Sequence, residues 1–201
     1  MRCAGYVRRV GRAPRAFAAG EYYHVGARGN NGEAIVRDDI DRIDFLRWYA
    51  RIAHRARWRA LAYVLMDNHY HFVIRCGESG LSAGVQQLNC GFARRINCRH
   101  GRTGHLFRQR FYGGWIKSDD HLREVCRYVV LNPVRAGLCG RPEDWAWSSH
   151  RACVDAELAP DFLAVSELLE LFDARPGPAR AAYETFVAAG RRLVSDTVTQ
   201  V

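Results

Sequence analysis

His69 and His71 lie one residue apart in the stretch LMDNHYHFVI, residues 65–74. Side chains alternate along a strand, so in an extended segment both imidazoles leave one face and Tyr70 and Phe72 leave the other. The aromatic pair can pack on a core while the imidazoles stand side by side, a geometry suited to chelating one divalent ion. Eight histidines in 201 residues give roughly 0.3 H-x-H pairs by chance. The pair alone therefore fits two hydrogen-bonded structural histidines at least as well as a metal site.

A second constellation lies in SDDHLREVCRYVVLNPVRAG, residues 118–137. Leu122, Val125, Cys126 and Val129 recur at helical spacing and form an apolar stripe. Tyr128 is off that stripe, on a face shared with His121, Glu124 and Asn132. A phenol there is a candidate nucleophile, and the carboxamide four residues on is a candidate metal ligand. The plainer alternative is an ordinary amphipathic tyrosine. A phenol with its usual pKa of about 10 attacks weakly until it is deprotonated or held near a cation.

These residues need elements to position them. Residues 21–29 and 58–66 have strand character, Asp67-Asn68 is a turn pair, and 69–75 is the returning strand. Residues 38–56 carry Ile43, Leu46, Trp48, Tyr49 and Ile52 at near-helical spacing, with Asp38, Asp39 and Asp41 at the dipole-favoured N-terminus. A further helix spans 79–101. Residues 101–114 form a basic, aromatic loop and 115–117 a short strand. Ser118 caps the Tyr128 helix, which ends near Asn132 because Pro133 disfavours helical dihedrals before it. Helices over 162–172 and 179–194 flank a Pro/Gly connection. Strands and helices alternate around one clear hairpin, which gives an α+β class with a central antiparallel sheet flanked by helices. The chain divides into a basic arm (1–20), a main domain (21–155) and a helical C-terminal extension (156–201).

The formal charge of +9 and pI of about 9.5 favour a polyanionic partner, most often nucleic acid. Lys117 is the sole lysine among 30 basic residues. Codon usage accounts for that ratio but not for the net charge. Seven cysteines, an odd number with no C-x-x-C, argue against a disulfide framework or a zinc ribbon. No apolar run reaches 18 residues, so no membrane span is expected, and a cytoplasmic protein with reduced thiols is. Candidate DNA contacts are Arg28, Asn30, Asn31, Arg94, Arg95, Arg102, Arg108, Arg110 and Arg135. Phe107, Phe111 and Tyr112 are interleaved as in a stacking loop; the plainer reading is a solvated loop with its aromatics in the core. Trp145 and Trp147 are expected to be packing residues. His24, His54, His100, His105 and His150 are expected to be structural or incidental DNA contacts. DNH invites comparison with HNH nucleases, but no ββα-metal pattern follows.

LMDNHYH followed by RYVVLNPVRAG resembles the single-tyrosine transposases of the HUH superfamily, and REP-associated tyrosine transposases within it. YHVGARGNNGE, GRTGHLFRQRF, WSSHRA and YETFV also fit, so the likeness runs over about residues 21–190. The resemblance implies a ferredoxin-like HUH fold. It makes His69 and His71 the metal ligands, with Asn132 where relatives place a polar third ligand, and Tyr128 the nucleophile. It further implies metal-dependent cleavage and religation of single-stranded DNA at REP-like palindromic hairpins through a 5′-phosphotyrosine intermediate. Mg²⁺ or Mn²⁺ would serve, imidazole and amide ligands favouring Mn²⁺ in intrinsic affinity. A bacterial, nucleoid-associated monomer or homodimer is expected. The rival functions are a domesticated, non-catalytic hairpin-DNA-binding protein and a hydrolase with a water nucleophile.

Overall fold

The computed structural model describes residues 17–155 and 159–198. Four strands, β1 (Tyr22–Arg28), β2 (Arg59–Leu65), β3 (His69–Arg75) and β4 (Tyr112–Ile116), form one sheet in the order β2-β3-β1-β4. Every neighbouring pair is antiparallel. Helix α1 (Asp39–Ala56) connects β1 to β2, and α2 (Ser82–His100) connects β3 to β4. This is the βαββαβ, ferredoxin-like arrangement. Five helices follow: α3 (Asp119–Val130), α4 (Asn132–Arg135), α5 (His150–Val154), α6 (Val165–Leu169) and α7 (Pro176–Val198).

Strand alternation sorts side chains into two cores, one on each face of the sheet. On one face Tyr23, Val25, Tyr63, Tyr70, Phe72 and Ile74 pack against Phe45, Tyr49 and Ile52 of α1 and Val85, Leu88 and Phe92 of α2. The Tyr49 and Phe72 rings stack with centroids 3.9 Å apart. On the other face Ala62, Val64, Val73 and Ile116 meet Leu122, Cys126 and Val129 of α3, together with Leu168 of α6 and Tyr183 of α7. The α+β class and the flanked antiparallel sheet thus hold, and Leu168, Leu169, Ala179, Tyr183 and Val187 of the C-terminal segment belong to the second core. Of the arm expected over 1–20, residues 1–16 lie outside the described residues. Phe17 is not loose, for its ring meets Tyr23 edge-on at 4.8 Å.

Several boundaries differ from those expected. Ile43 is 40% exposed, and Asp41 takes the buried position in the first turn of α1. β4 begins at Tyr112, because Gly113 and Gly114 sit in the ladder opposite Val25 and His24. The helix expected over 162–172 is confined to Val165–Leu169, while Phe162 and Ala164 bond back to Ala60. α7 starts within the expected connection, Pro176 and Pro178 both falling in its first turn, where a missing N–H costs nothing. All six described cysteines are free, and among the described residues no helix is long and apolar enough to cross a membrane.

Candidate active site

β3 turns His69 and His71 toward α3, while Tyr70 and Phe72 are fully buried on the other face. β1 runs beside them, with Arg28 opposite His69 and Gly26 opposite His71. Gly26 is what lets His71 lie close to the sheet. A Cβ there would stand 2.7 Å from His71 Nδ1 and 2.8 Å from the Tyr70 carbonyl oxygen. Two residues before it, on the same face, His24 Nε2 lies 3.0 Å from His71 Nδ1. Three imidazoles therefore cluster where the sequence alone suggests two. His24 was expected to be structural or incidental. It reaches the site through strand pairing with a segment 47 residues away, and the local cue is Gly26 two positions after it in HVG.

The end of α3 closes the cluster. Ser118 caps the helix, its side chain accepting from the His121 N–H, as expected. Leu122, Cys126 and Val129 are buried, Val125 is half-buried, and the Tyr128 ring is left 38% exposed beside the histidines. Its centroid is 6.0 Å from that of His71 and 6.0 Å from that of His24. The Arg135 guanidinium lies 5.3 Å from the Tyr128 ring centre. Asn132, at the break between α3 and α4, is buried, and its Oδ1 is 3.0 Å from His69 Nε2. One chain thus brings His69, His71, Tyr128 and Asn132 together.

The protonation of this cluster follows from its burial. Burial, then the His24 and His69 charges, lowers His71 from 6.5 to about 3. Burial and the His121 charge lower His24 to about 4. Burial likewise lowers His69, its bond to Asn132 opposing and the Arg28 charge assisting. The imidazoles are neutral at pH 7, as a metal ligand must be. Neutral His69 has one ring proton but two amide-oxygen neighbours, Asn68 Oδ1 at 2.6 Å and Asn132 Oδ1 at 3.0 Å. If Nδ1–H donates to Asn68, the Nε2 lone pair faces an oxygen lone pair of Asn132, and a cation shared between them would relieve that repulsion. Among the described residues no three His, Cys, Asp or Glu side chains form a metal-holding group. Any ion here would rest on the mixed imidazole and carboxamide set.

The candidate DNA contacts separate into two groups. Arg28 ends β1 on the site face, and Arg108 N–H donates to the Arg28 carbonyl at 3.0 Å, which keeps the 101–111 loop alongside. Arg108, Arg110, Arg135 and Asn31 are exposed. Asn30 is half-buried in the turn Asn30–Gly32, where Asn31 adopts φ 52°, the left-handed region asparagine tolerates. Arg94 and Arg95 belong to α2, across the sheet from the histidines. Arg95 is occupied there, stacked 4.6 Å from Trp48 and 3.7 Å from Asp44. Arg102 fastens Glu33 at 2.7 Å. Of the loop aromatics, Phe111 is buried and Phe107 packs on Tyr70. Tyr112 is 57% exposed, its ring 5.3 Å from His24, and so can stack on a base. Trp145 and Trp147 are packing residues, Trp145 Nε1–H donating to the Leu65 carbonyl.

A ferredoxin-like sheet whose paired histidines face a helix-borne tyrosine defines the HUH class of single-tyrosine proteins. The model of the family "Transposase IS200 like" matches residues 19–132, from the approach to β1 through Asn132. The chain belongs to the IS200-like transposase family. A Haemophilus influenzae protein assigned as a REP-associated tyrosine transposase is 23% identical over 129 residues, which is 59% of this chain and 73% of that one. The solved structure of a REP-associated tyrosine transposase bound to a REP hairpin superposes with a TM-score of 0.61 at 17% identity, covering 77% of this chain and 92% of that one. It shares the fold. A transposase structure from Deinococcus radiodurans aligns over 60% of this chain and 96% of its own at 14% identity, but its TM-score is only 0.41.

Proposed function

We propose that this protein cuts and rejoins single-stranded DNA at hairpin elements, with Tyr128 as nucleophile and a divalent cation, Mg²⁺ or Mn²⁺, held by His69, His71 and Asn132. The observation that carries the reading is the position of the Tyr128 ring, 6.0 Å from His71 within one chain and exposed toward solvent. In this reading Tyr128 Oη attacks the phosphorus in line. The phenolic proton leaves Oη as the Oη–P bond forms, the P–O3′ bond breaks, and the departing oxygen takes up a proton to become a 3′-OH. The 5′-phosphotyrosine keeps the energy of the broken bond, so the same centre can reseal a strand. When bound, the cation would offset negative charge on the non-bridging oxygens and orient the phosphate. Arg28, Arg108, Arg110 and Arg135 would hold the flanking backbone, and Tyr112 would stack on a base. The likeness to a protein bound to a REP hairpin supports a palindromic substrate, and a DNA substrate is in keeping with a bacterial, nucleoid-associated protein. With nucleophile and ligands on one chain, a monomer suffices.

A labelled single-stranded oligonucleotide carrying a hairpin, incubated with Mn²⁺ or Mg²⁺, should yield a covalent adduct on a denaturing gel, and Tyr128→Phe should abolish it. Cleavage that survives Tyr128→Phe means a water nucleophile. Hairpin binding with no adduct under either metal means a non-catalytic binder.

A further inference from the structure

An asparagine in a tight turn ordinarily bonds its side chain to its own backbone two residues on. Asn68, in the turn between β2 and β3, uses its half-buried side chain otherwise. It reaches the Gly32 carbonyl, 36 residues away, and the ring of His69. Backbone bonds bring the two segments together. Gly29 N–H donates to the Asn68 carbonyl at 2.8 Å, and Ile35 N–H to the Asp67 carbonyl at 2.7 Å. The Asn30–Gly32 turn is thereby folded beside His69, with Asn31 and Gly32 exposed.

The two side-chain bonds fix one another's direction. A backbone carbonyl only accepts, so Asn68 must turn its amide nitrogen to the Gly32 oxygen, 3.1 Å away. Its Oδ1 is left for His69 Nδ1 at 2.6 Å. An amide oxygen also only accepts, so the neutral His69 ring carries its proton on Nδ1. The Nε2 lone pair then faces Asn132 Oδ1, 3.0 Å away. The carbonyl of an exposed turn thus selects, through one amide, which His69 nitrogen is free to ligate.

A turn and a ligand linked in this way share one preferred state. Without the amide, both tautomers of the imidazole are open, and a site that is competent only part of the time binds more weakly by that fraction. DNA seated on Asn30 and Asn31 would hold the Gly32 carbonyl against Asn68. A cation at Nε2 requires the tautomer that this contact selects. Each ligand favours the state that the other needs, and such coupling is reciprocal.

We propose that Asn68 is a positioning residue that couples the Asn30–Gly32 turn to the cation site, so that DNA on the turn and a cation at His69 each strengthen the binding of the other. This rests on the DNA-cleaving reading above for both ligands. The test uses Tyr128→Phe throughout, which leaves the strand uncut, alone and combined with Asn68→Asp or Asn68→Ala. Asp keeps an acceptor for His69 Nδ1–H but offers the Gly32 carbonyl no donor; Ala removes both bonds. Mn²⁺ is titrated calorimetrically into each metal-free form, with and without a saturating hairpin oligonucleotide. Free of DNA, the Asp form should bind Mn²⁺ at least as tightly as the parent. The Ala form should bind it about 10–100-fold more weakly, the range for groups behind a metal ligand. The ratio of the Mn²⁺ Kd without and with the hairpin should be about fivefold smaller in the Asp form, the low end of coupling between sites. The phosphates meet the cation alike in both forms, and the added charge weakens hairpin binding with and without metal, so both effects cancel from the ratio. An equal ratio with Mn²⁺ still bound overturns the coupling and leaves the cleavage reading standing, as does an Ala form of undiminished Mn²⁺ affinity. Ring-nitrogen NMR shifts of the metal-free parent should show His69 protonated on Nδ1, and the Nε2–H tautomer overturns the proposal whatever the titrations give. No Mn²⁺ binding by any form overturns the coupling together with the metal site.

Discussion

His71 is held from behind by His24. Their 3.0 Å contact fixes the ring orientation of His71, and groups behind a metal ligand typically govern affinity by 10–100-fold. His24→Ala should therefore weaken Mn²⁺ binding by about that factor in a calorimetric titration. Hairpin affinity measured without metal should stay nearly constant, because phosphate contacts supply it. Unchanged Mn²⁺ affinity would assign His24 to packing alone. Legibility at this scale followed sequence distance. The H-x-H pair and the off-stripe position of Tyr128 are periodicities within single elements, so they can be read directly. His24 depends on the register of β1 against β3, and Asn132 reaches His69 only because α3 breaks before Pro133. The arginines show the same boundary. Composition marks them as basic, but only packing separates Arg95, spent on Trp48 and Asp44, from exposed Arg108 and Arg110.

Between elements, the clearest fastening joins the start of α1 to the end of α2. Asp41 is 1% exposed, and its carboxylate accepts from the Arg37 backbone N–H at 2.8 Å, from His100 at 2.9 Å and from Arg99. Burial pushes the Asp41 carboxyl up, but these partners together hold it below the usual carboxylate range. Arg99 also donates to Asp38, the N-cap of α1, at 2.8 Å. Asp41→Asn keeps the shape and loses the charge. It should cost about 2 kcal/mol in urea unfolding, the scale of a hydrogen bond to a charged group. The Tyr128 adduct should persist at low temperature, because the fastening lies across the sheet from the histidines. A cost near zero would mean that the shape of the carboxylate, not its charge, joins the helices. The sequence announces three acids at the N-terminus of α1 but not that one of them is buried. That depends on Arg99 and His100, 58 and 59 residues later at the end of α2. The late β4 and the short α6 have a similar origin. Gly113 and Gly114 look like loop residues until β1 supplies their hydrogen-bonding edge, and residues 162–164 look helical until Ala60 captures them.

For the whole molecule, buried neutral groups set a pH window. His24, His69, His71 and His150 all have pKa values lowered by burial, to about 4 for His24 and about 3 for His71. Unfolding returns them toward 6.5. Between the folded and unfolded values the unfolded chain binds more protons, so stability is complete above about 6.5 and declines as the pH falls toward 4. Asp41 and Glu143, lowered in the fold, add their own loss below the carboxylate range. Burial raises Cys153 from 9.0 to about 12 and Tyr63 from 10.0 to about 12. Their contribution is complete below those ordinary values and is lost as the pH climbs from about 9 toward 12. The melting temperature should thus be flat between about pH 7 and 9, with an acid limb that begins near 6.5. An acid limb that begins only near 4 would show that carboxylates alone carry it. Mn²⁺ adds a control independent of catalysis. A cation bound to His69 and His71 competes with protons for the same nitrogens, so saturating Mn²⁺ should raise the melting temperature at pH 7 and move the acid limb to lower pH. An acid limb that ignores Mn²⁺ would separate the burial of these imidazoles from any role as ligands.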